Sequence, residues 1–292
     1  MQVSIFIKSW LQDLEWLAYA LRFLECNWME EEPQVVIVLD EDCRGEFDPD
    51  AFALDLNVYY RVPWPDGYCH AMWMKTLADH FCTGDYILLM DSDCILLEPV
   101  RFNDLANGKR PRLGYVRYDE HMGLFPHSPW KKVTERLTQE PAEVHFMSRN
   151  PILYHRDTFE GMRDWLARMH GRYYDALVYS DNEFDPLKFS SHPITLMDYD
   201  LLGSYAYRFQ AKEYAFMHES AMPPNRWHQY HSWTQNPADL GLHRSLQIAF
   251  SHRLRDCLWH PASGGASLQE MSPSVGASRG VLNAMQQNRA DP

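Results

Sequence analysis

Long hydrophobic runs are missing from this 292-residue chain: segments such as Ile87 to Met90 and Cys94 to Leu97 extend only a few residues, against the roughly 20 that a bilayer-spanning helix requires. No membrane helix is expected. The opening MQVSIFIKSW also lacks a basic stretch followed by a long apolar core and a small-residue cleavage site, so a cytosolic location is expected rather than export. The six cysteines, Cys26, Cys43, Cys69, Cys82, Cys94 and Cys257, form no CxxC pair and follow no framework spacing, which favours free thiols over disulfides or a zinc site. Positive charge is in deficit, with 27 Lys and Arg against 40 Asp and Glu and a formal net charge of −13. That balance argues against polyanion binding over the whole surface. No internal repeat is present. The rest, 46% hydrophobic and 23% charged, is the composition of an ordinary globular protein with one large domain or two small ones.

The charge is unevenly spread, residues 1–100 carrying −14 and residues 101–136 carrying +4. The basic stretch holds Lys109, Arg110, Arg112, Arg117, Lys131, Lys132 and Arg136, interleaved with Tyr115, Tyr118 and Trp130. It reads either as a solvated face and loop or as a contact for a phosphate-bearing ligand.

Val3 to Ile7 is β-rich, and after Lys8-Ser9 the residues Leu11, Leu14, Leu17, Ala18, Leu21 and Leu24 recur at helical spacing, which predicts strand, turn and helix. Ser9 is placed to cap that helix, and Asp13 lies in its first turns where a carboxylate suits the dipole. Val35 to Leu39 is nearly continuous and β-branched, as for a strand buried on both faces, and exits into Asp40-Glu41-Asp42. Beyond the Pro63 to Gly67 turn, Trp73, Leu77 and Phe81 mark a helix on which Lys75 and Asp79 pair at i, i+4. Tyr86 to Met90 is a third strand. This order predicts an α/β fold with a mostly parallel central sheet and helices on both faces. Thr158 to His170 and Asp200 to Phe209 are read as further helices. Pro223-Pro224 breaks the chain before Trp227, His228, Tyr230, His231 and Trp233, and from Pro261 a polar tail follows with a weak helix near Val281 to Gln287.

The sharpest motif is YILLMDSDCILLEP, which delivers Asp91-Ser92-Asp93 at the carboxyl end of a buried strand. Ligands of open α/β sheets bind there, and two carboxylates one residue apart suit a hard cation that also contacts phosphate oxygens. A DxD also makes ordinary turns; its strand context favours the metal reading.

The segment GYCHAMWMKTLADHFCTGDYILLMDSDCILLEP, with the opening IFIKSWLQDLEWLAYALRFLE, resembles nucleotide-sugar-dependent glycosyltransferases of the GT-A (Rossmann-like) fold, particularly small bacterial and tailed-phage ones. The likeness is good over residues 3–100 and patchy to about residue 235. It implies one domain, with residues 1–100 as the nucleotide-sugar-binding half, residues 101–260 as the acceptor-binding half and residues 261–292 as a tail. It implies Mn²⁺ or Mg²⁺ held by Asp91 and Asp93 against the donor diphosphate, most readily of a UDP-sugar. Ser9, Trp10 and Asp40 are implicated at the nucleoside, and Lys75 near the donor, although Lys75 also suits a simple pair with Asp79. Arg149 is a candidate for the diphosphate or an ordinary surface arginine.

The family tends to place an acidic residue at the start of a late helix, which in LMDYDLLGSYAY offers Asp198 and Asp200 as the base of an inverting reaction. Carboxylates capping a helix start are the alternative. His228, His231 or His218 would supply a further metal ligand. The acceptor implied is a glycan or envelope saccharide, or a hydroxymethylated pyrimidine in DNA for phage-type relatives, whose location would be the host cytoplasm. Two rivals remain: a haloacid-dehalogenase-like phosphatase using Asp91 and Asp93, and a non-catalytic nucleotide- or glycan-binding protein.

Overall fold

The computed structural model describes residues 1–63, 67–121, 129–147, 149–179 and 196–230, with residues 232, 235, 237–240 and 242. His231, Cys257 and the tail expected from Pro261, with its helix near Val281 to Gln287, lie outside the described residues. The first half runs β1 (Val3–Lys8), α1 (Leu14–Asn27), β2 (Gln34–Asp40), β3 (Leu56–Arg61), α2 (Gly67–Thr76), β4 (Tyr86–Asp91) and β5 (Cys94–Leu96). It continues through α3 (Phe102–Leu105), β6 (Ala106–Asn107), β7 (Arg110–Arg117), α4 (Tyr118–His121), α5 (Pro129–Thr138), β8 (Val144–His145) and β9 (Ile152–His155). The last elements are α6 (Asp157–His170), α7 (Tyr174–Tyr179), α8 (Asp198–Phe209), β10 (Ala215–His218) and β11 (Trp227–Gln229).

The fold is α/β. Its main sheet has the order β3-β2-β1-β4-β9, parallel from β3 to β4, with β9 antiparallel at the edge. β1 and β2 are apolar on both faces because both faces are covered. Period-two alternation sends Ile5, Ile7, Val35, Ile37, Leu88 and Met90 to one side, where Leu17, Leu21 and Leu24 of α1 meet them. The intervening Phe6, Val36, Val38, Ile87 and Leu89 meet Met72 and Met74 of α2 and Leu201 and Leu202 of α8 on the other. Each fully buried Leu or Ile contributes about 1.5–3 kcal/mol through surface removed from water. A smaller sheet, β10-β7-β6 with β8 on β7, and the antiparallel pair β11-β5 complete the structure. Among the described residues, no helix is long and apolar enough to cross a membrane. Cys26, Cys43, Cys69, Cys82 and Cys94 are buried, and none of them is in a disulfide.

Three local expectations are corrected. Ser9 does not cap the first helix: a 3-10 turn over Leu11–Asp13 intervenes and Asp13 takes the N-cap position. The second helix stops at Thr76, and a separate 3-10 turn over Ala78–His80 follows. Lys75 does not pair with Asp79, whose two oxygens instead accept from Arg163 of α6 at 2.7 and 2.8 Å. A planar guanidinium fits that carboxylate edge bidentately, which an ammonium cannot do.

Candidate active site

The chain leaves β1 through α1 toward β2 and β3, then crosses the opposite face by α2 to reach β4 on the far side of β1. The connections therefore diverge between β1 and β4, and such a switch point opens a crevice at the strands' carboxyl ends. Into it β1 delivers Lys8, Ser9 and Trp10, and β4 delivers Asp91, Ser92 and Asp93; Lys8 and Asp91 are partners in the parallel ladder.

Asp91 is surrounded by donors. Its Oδ2 accepts from Gln229 Nε2 at 2.8 Å and from Asn150 Nδ2 in a short contact, while its Oδ1 pairs closely with Lys75 Nζ and accepts from Tyr199 Oη at 3.4 Å. The Lys75 ammonium also lies 3.5 Å from Asp198 Oδ2 and 4.8 Å from the centre of the Tyr199 ring. Burial alone would lower the Lys75 pKa, but Asp91 and Asp198 outweigh it and hold the ammonium charged. Asp198 opens α8 and is 1% exposed; burial pushes its carboxyl up to about 6 against the pull of Lys75. The α8 backbone comes this close because residue 203 is glycine: a Cβ there would collide with the Phe146 ring.

Asp93 is held differently. Its Oδ2 accepts the Ser232 backbone N–H at 3.2 Å, while its Oδ1 is buried with no hydrogen-bond partner. Burial and the neighbouring Asp91 push its carboxyl up to about 7. Asp13 is the third carboxylate here, accepting from Ser92 Oγ at 3.1 Å and Ser232 Oγ at 3.3 Å, its pKa raised chiefly by burial. Gln229, Asn150, Tyr199, Asp13 and Ser232 were not legible as site residues. Asp13 carried a signal only as a helix-start acid, and the others carried none.

At the nucleoside side, Ser9 is buried, its N–H donating to Val38 O at 3.0 Å and its Oγ lacking a partner. Trp10 is 42% exposed, and a Cβ on Gly67 would sit 3.8 Å from its ring. Asp40 is buried against Lys8 Nζ at 2.7 Å and His70 Nδ1 at 3.3 Å. Although burial opposes it, hydrogen bonds from His70 and Lys8 hold the Asp40 carboxyl below its usual range, and burial lowers the Lys8 pKa despite Asp40.

Other expected residues are committed elsewhere. Asp200 is fully buried, accepting from the Phe146 N–H at 2.7 Å, lying 2.9 Å from His145 Nδ1 and closely contacted by the Tyr118 hydroxyl. Arg149 donates to Asn225 Oδ1 at 2.9 Å and Glu219 O at 3.1 Å, bracing the 219–225 segment. His228 is exposed on β11, and the alternation that sends Gln229 to Asp91 turns His228 to the other side. His218 pairs with Glu120 at 2.8 Å. In the basic stretch, Arg110 donates to Tyr214 O, Arg112 to Asn103 O, and Arg117 to Asp119.

Among the described residues, no three His, Cys, Asp or Glu side chains converge as a metal cage. The donor set nevertheless fits Mg²⁺ or Mn²⁺, because Mg²⁺ commonly binds through one or two carboxylates with water and substrate phosphate completing the shell, and Mn²⁺ suits the same oxygen ligands. The orphaned Asp93 Oδ1 is the atom such an ion would satisfy. Ser9 Oγ and Asn150 Oδ1 are also buried without partners beside the same strand ends.

No curated protein matches the chain. A family profile does match residues 67–258, from α2 through the Asp91–Asp93 turn and beyond, so the chain belongs to DUF6492, a family of unknown function.

Proposed function

We propose that the chain is a metal-dependent glycosyltransferase of GT-A type that moves a sugar from a nucleotide-sugar, preferentially a UDP-sugar, to an acceptor hydroxyl. The observation that carries this reading is the buried, unpartnered Asp93 Oδ1 at the carboxyl end of the switch-point strand. Asp93 is the residue to hold Mn²⁺ or Mg²⁺, with Asp91 beside it. A cation bound there would supply charge neutralisation at the diphosphate leaving group.

The chain's own groups complete the chemistry. Lys75, kept charged between Asp91 and Asp198, orients Asp91 and adds positive potential toward a bound diphosphate. Ser9 and Trp10 offer an unpartnered hydroxyl and an exposed ring to the nucleoside, whereas Asp40 acts through its hold on Lys8 and His70. Of the two candidate bases, Asp198 is favoured over Asp200, because all of Asp200's hydrogen-bonding capacity serves the Tyr118–His145–Phe146 contacts. Burial, which pushes its carboxyl up to about 6, makes Asp198 a stronger base than an exposed aspartate and suits it to accept an acceptor proton.

A glycan acceptor is favoured over modified DNA, since much of the basic stretch is engaged within the chain. The phosphatase alternative expects its motif on the first strand, and here three strands precede it. The test is a screen of UDP-, GDP- and other nucleotide-sugars with Mn²⁺, reading released nucleotide. Asp93→Asn should abolish release and Asp198→Asn should reduce it by about 10²-fold or more. Release that survives Asp93→Asn intact would remove the reading, and phosphomonoester cleavage would replace it with the phosphatase.

A further inference from the structure

Asp13 occupies the N-cap position of α1 and makes no side-chain capping bond. An aspartate there ordinarily accepts from the first-turn amides of its own helix. Its Oδ2 accepts instead from two hydroxyls far along the chain, Ser92 Oγ in the middle of the Asp91–Asp93 turn and Ser232 Oγ, 219 residues away. The same Ser232 donates its backbone N–H to Asp93 Oδ2. One residue therefore bridges the two carboxylates, hydroxyl to Asp13 and amide to Asp93.

The surrounding contacts run in the same direction. β11 pairs antiparallel with β5, Tyr230 N donates to Asp93 O at 2.9 Å, and the Tyr230 ring stacks on Trp16 of α1 at 5.3 Å. Trp16 is buried with Leu14 and Leu17, so α1 is anchored in the core. Because Asp93 has one oxygen tied and one free, whatever fixes Oδ2 also fixes the direction of Oδ1.

We infer that Asp13 is a positioning residue: through Ser232 it clasps the returning C-terminal segment onto the Asp91–Asp93 turn and orients the Asp93 carboxylate. The effect on cation binding rests on the function proposed above; the clasp itself does not. The discriminating variant is Ser232→Ala, which removes the hydroxyl without changing charge, whereas Asp13→Ala removes the acceptor together with a nearby negative charge.

The experiment uses the full chain without donor, as wild type, Ser232→Ala, Ser232→Thr, Asp13→Ala, Asp13→Ala/Ser232→Ala and Asp93→Asn. It measures amide exchange over residues 230–232 in metal-free protein, corrected for intrinsic rates, and Mn²⁺ affinity from the electron paramagnetic resonance signal of free ion. Ser232→Ala should speed exchange about fivefold and weaken Mn²⁺ roughly tenfold. Ser232→Thr, which keeps the hydroxyl, should recover most of both, and Ser232→Ala should add little in the Asp13→Ala background, where the acceptor is gone. Unchanged exchange in Ser232→Ala overturns the clasp whatever the metal result, and faster exchange with unchanged Mn²⁺ affinity overturns its role at Asp93. If wild type binds no Mn²⁺ while exchange responds as expected, the clasp stands and the metal-dependent function fails.

Discussion

Lys75 carries its charge into a buried space shared with Asp91 and Asp198. Removing one partner of a buried ion pair costs more than the pair itself contributes, because the remaining charge stays desolvated. Lys75→Met should therefore destabilise the protein by about 3 kcal/mol, read from urea unfolding, and adding Asp91→Asn should recover part of the loss. Asp40 gives the pH counterpart. Its carboxyl is held below its usual range by His70 and Lys8, so it releases its proton more readily folded than unfolded. That contribution to stability is present above the unfolded value of about 4 and is lost as pH falls through the lowered folded value. Asp40→Asn should flatten the acid limb of the stability profile below about pH 4, measured by denaturant midpoints across pH. At this scale the sequence revealed which residues carry charge but not whom they meet. The i, i+4 spacing of Lys75 and Asp79 suggested a pair, and Arg163, 84 residues from Asp79, took the carboxylate instead.

Elements were legible where local pattern was strong. β1, β2 and β4 are covered strands with long apolar content, and α1 shows a helical repeat because Leu14, Leu17, Leu21 and Leu24 recur along one face against the sheet. β7 was obscured because Pro111 and Gly114 interrupt its alternation and its arginines read as a basic loop. β9, four residues long, is too short for any period to register. The placement of α8 depends on Gly203, where a methyl would displace the Phe146 ring and shift the helix start that carries Asp198. Gly203→Ala should cost about 1–3 kcal/mol and lower sugar release more than the stability loss alone explains, measured side by side on the purified variant. Asp79→Ala, which strands the Arg163 guanidinium between α6 and the turn after α2, should cost about 3–5 kcal/mol by the same unfolding assay.

For the whole molecule, a net charge of −13 and the engagement of Arg110, Arg112 and Arg117 within the chain argue against a polyanion bound over the whole surface. Lys109→Glu with Lys132→Glu should leave duplex DNA retention and its salt dependence unchanged, measured by fluorescence anisotropy at several ionic strengths. Three determinants came from the sequence alone: a parallel α/β core, the position of the Asp91–Asp93 turn at a strand end, and an acidic N-terminal half. Each follows from periodicity or composition within a short window, because backbone geometry repeats every two or 3.6 residues. Only the tertiary structure decided the strand order, the antiparallel return of β9, and the company the carboxylates keep. Asp91 meets Asn150 and Gln229 at separations of 59 and 138 residues, and Asp93 meets Ser232 at 139. Contacts at such distances are set by where the chain returns over the sheet, and no local spacing encodes that.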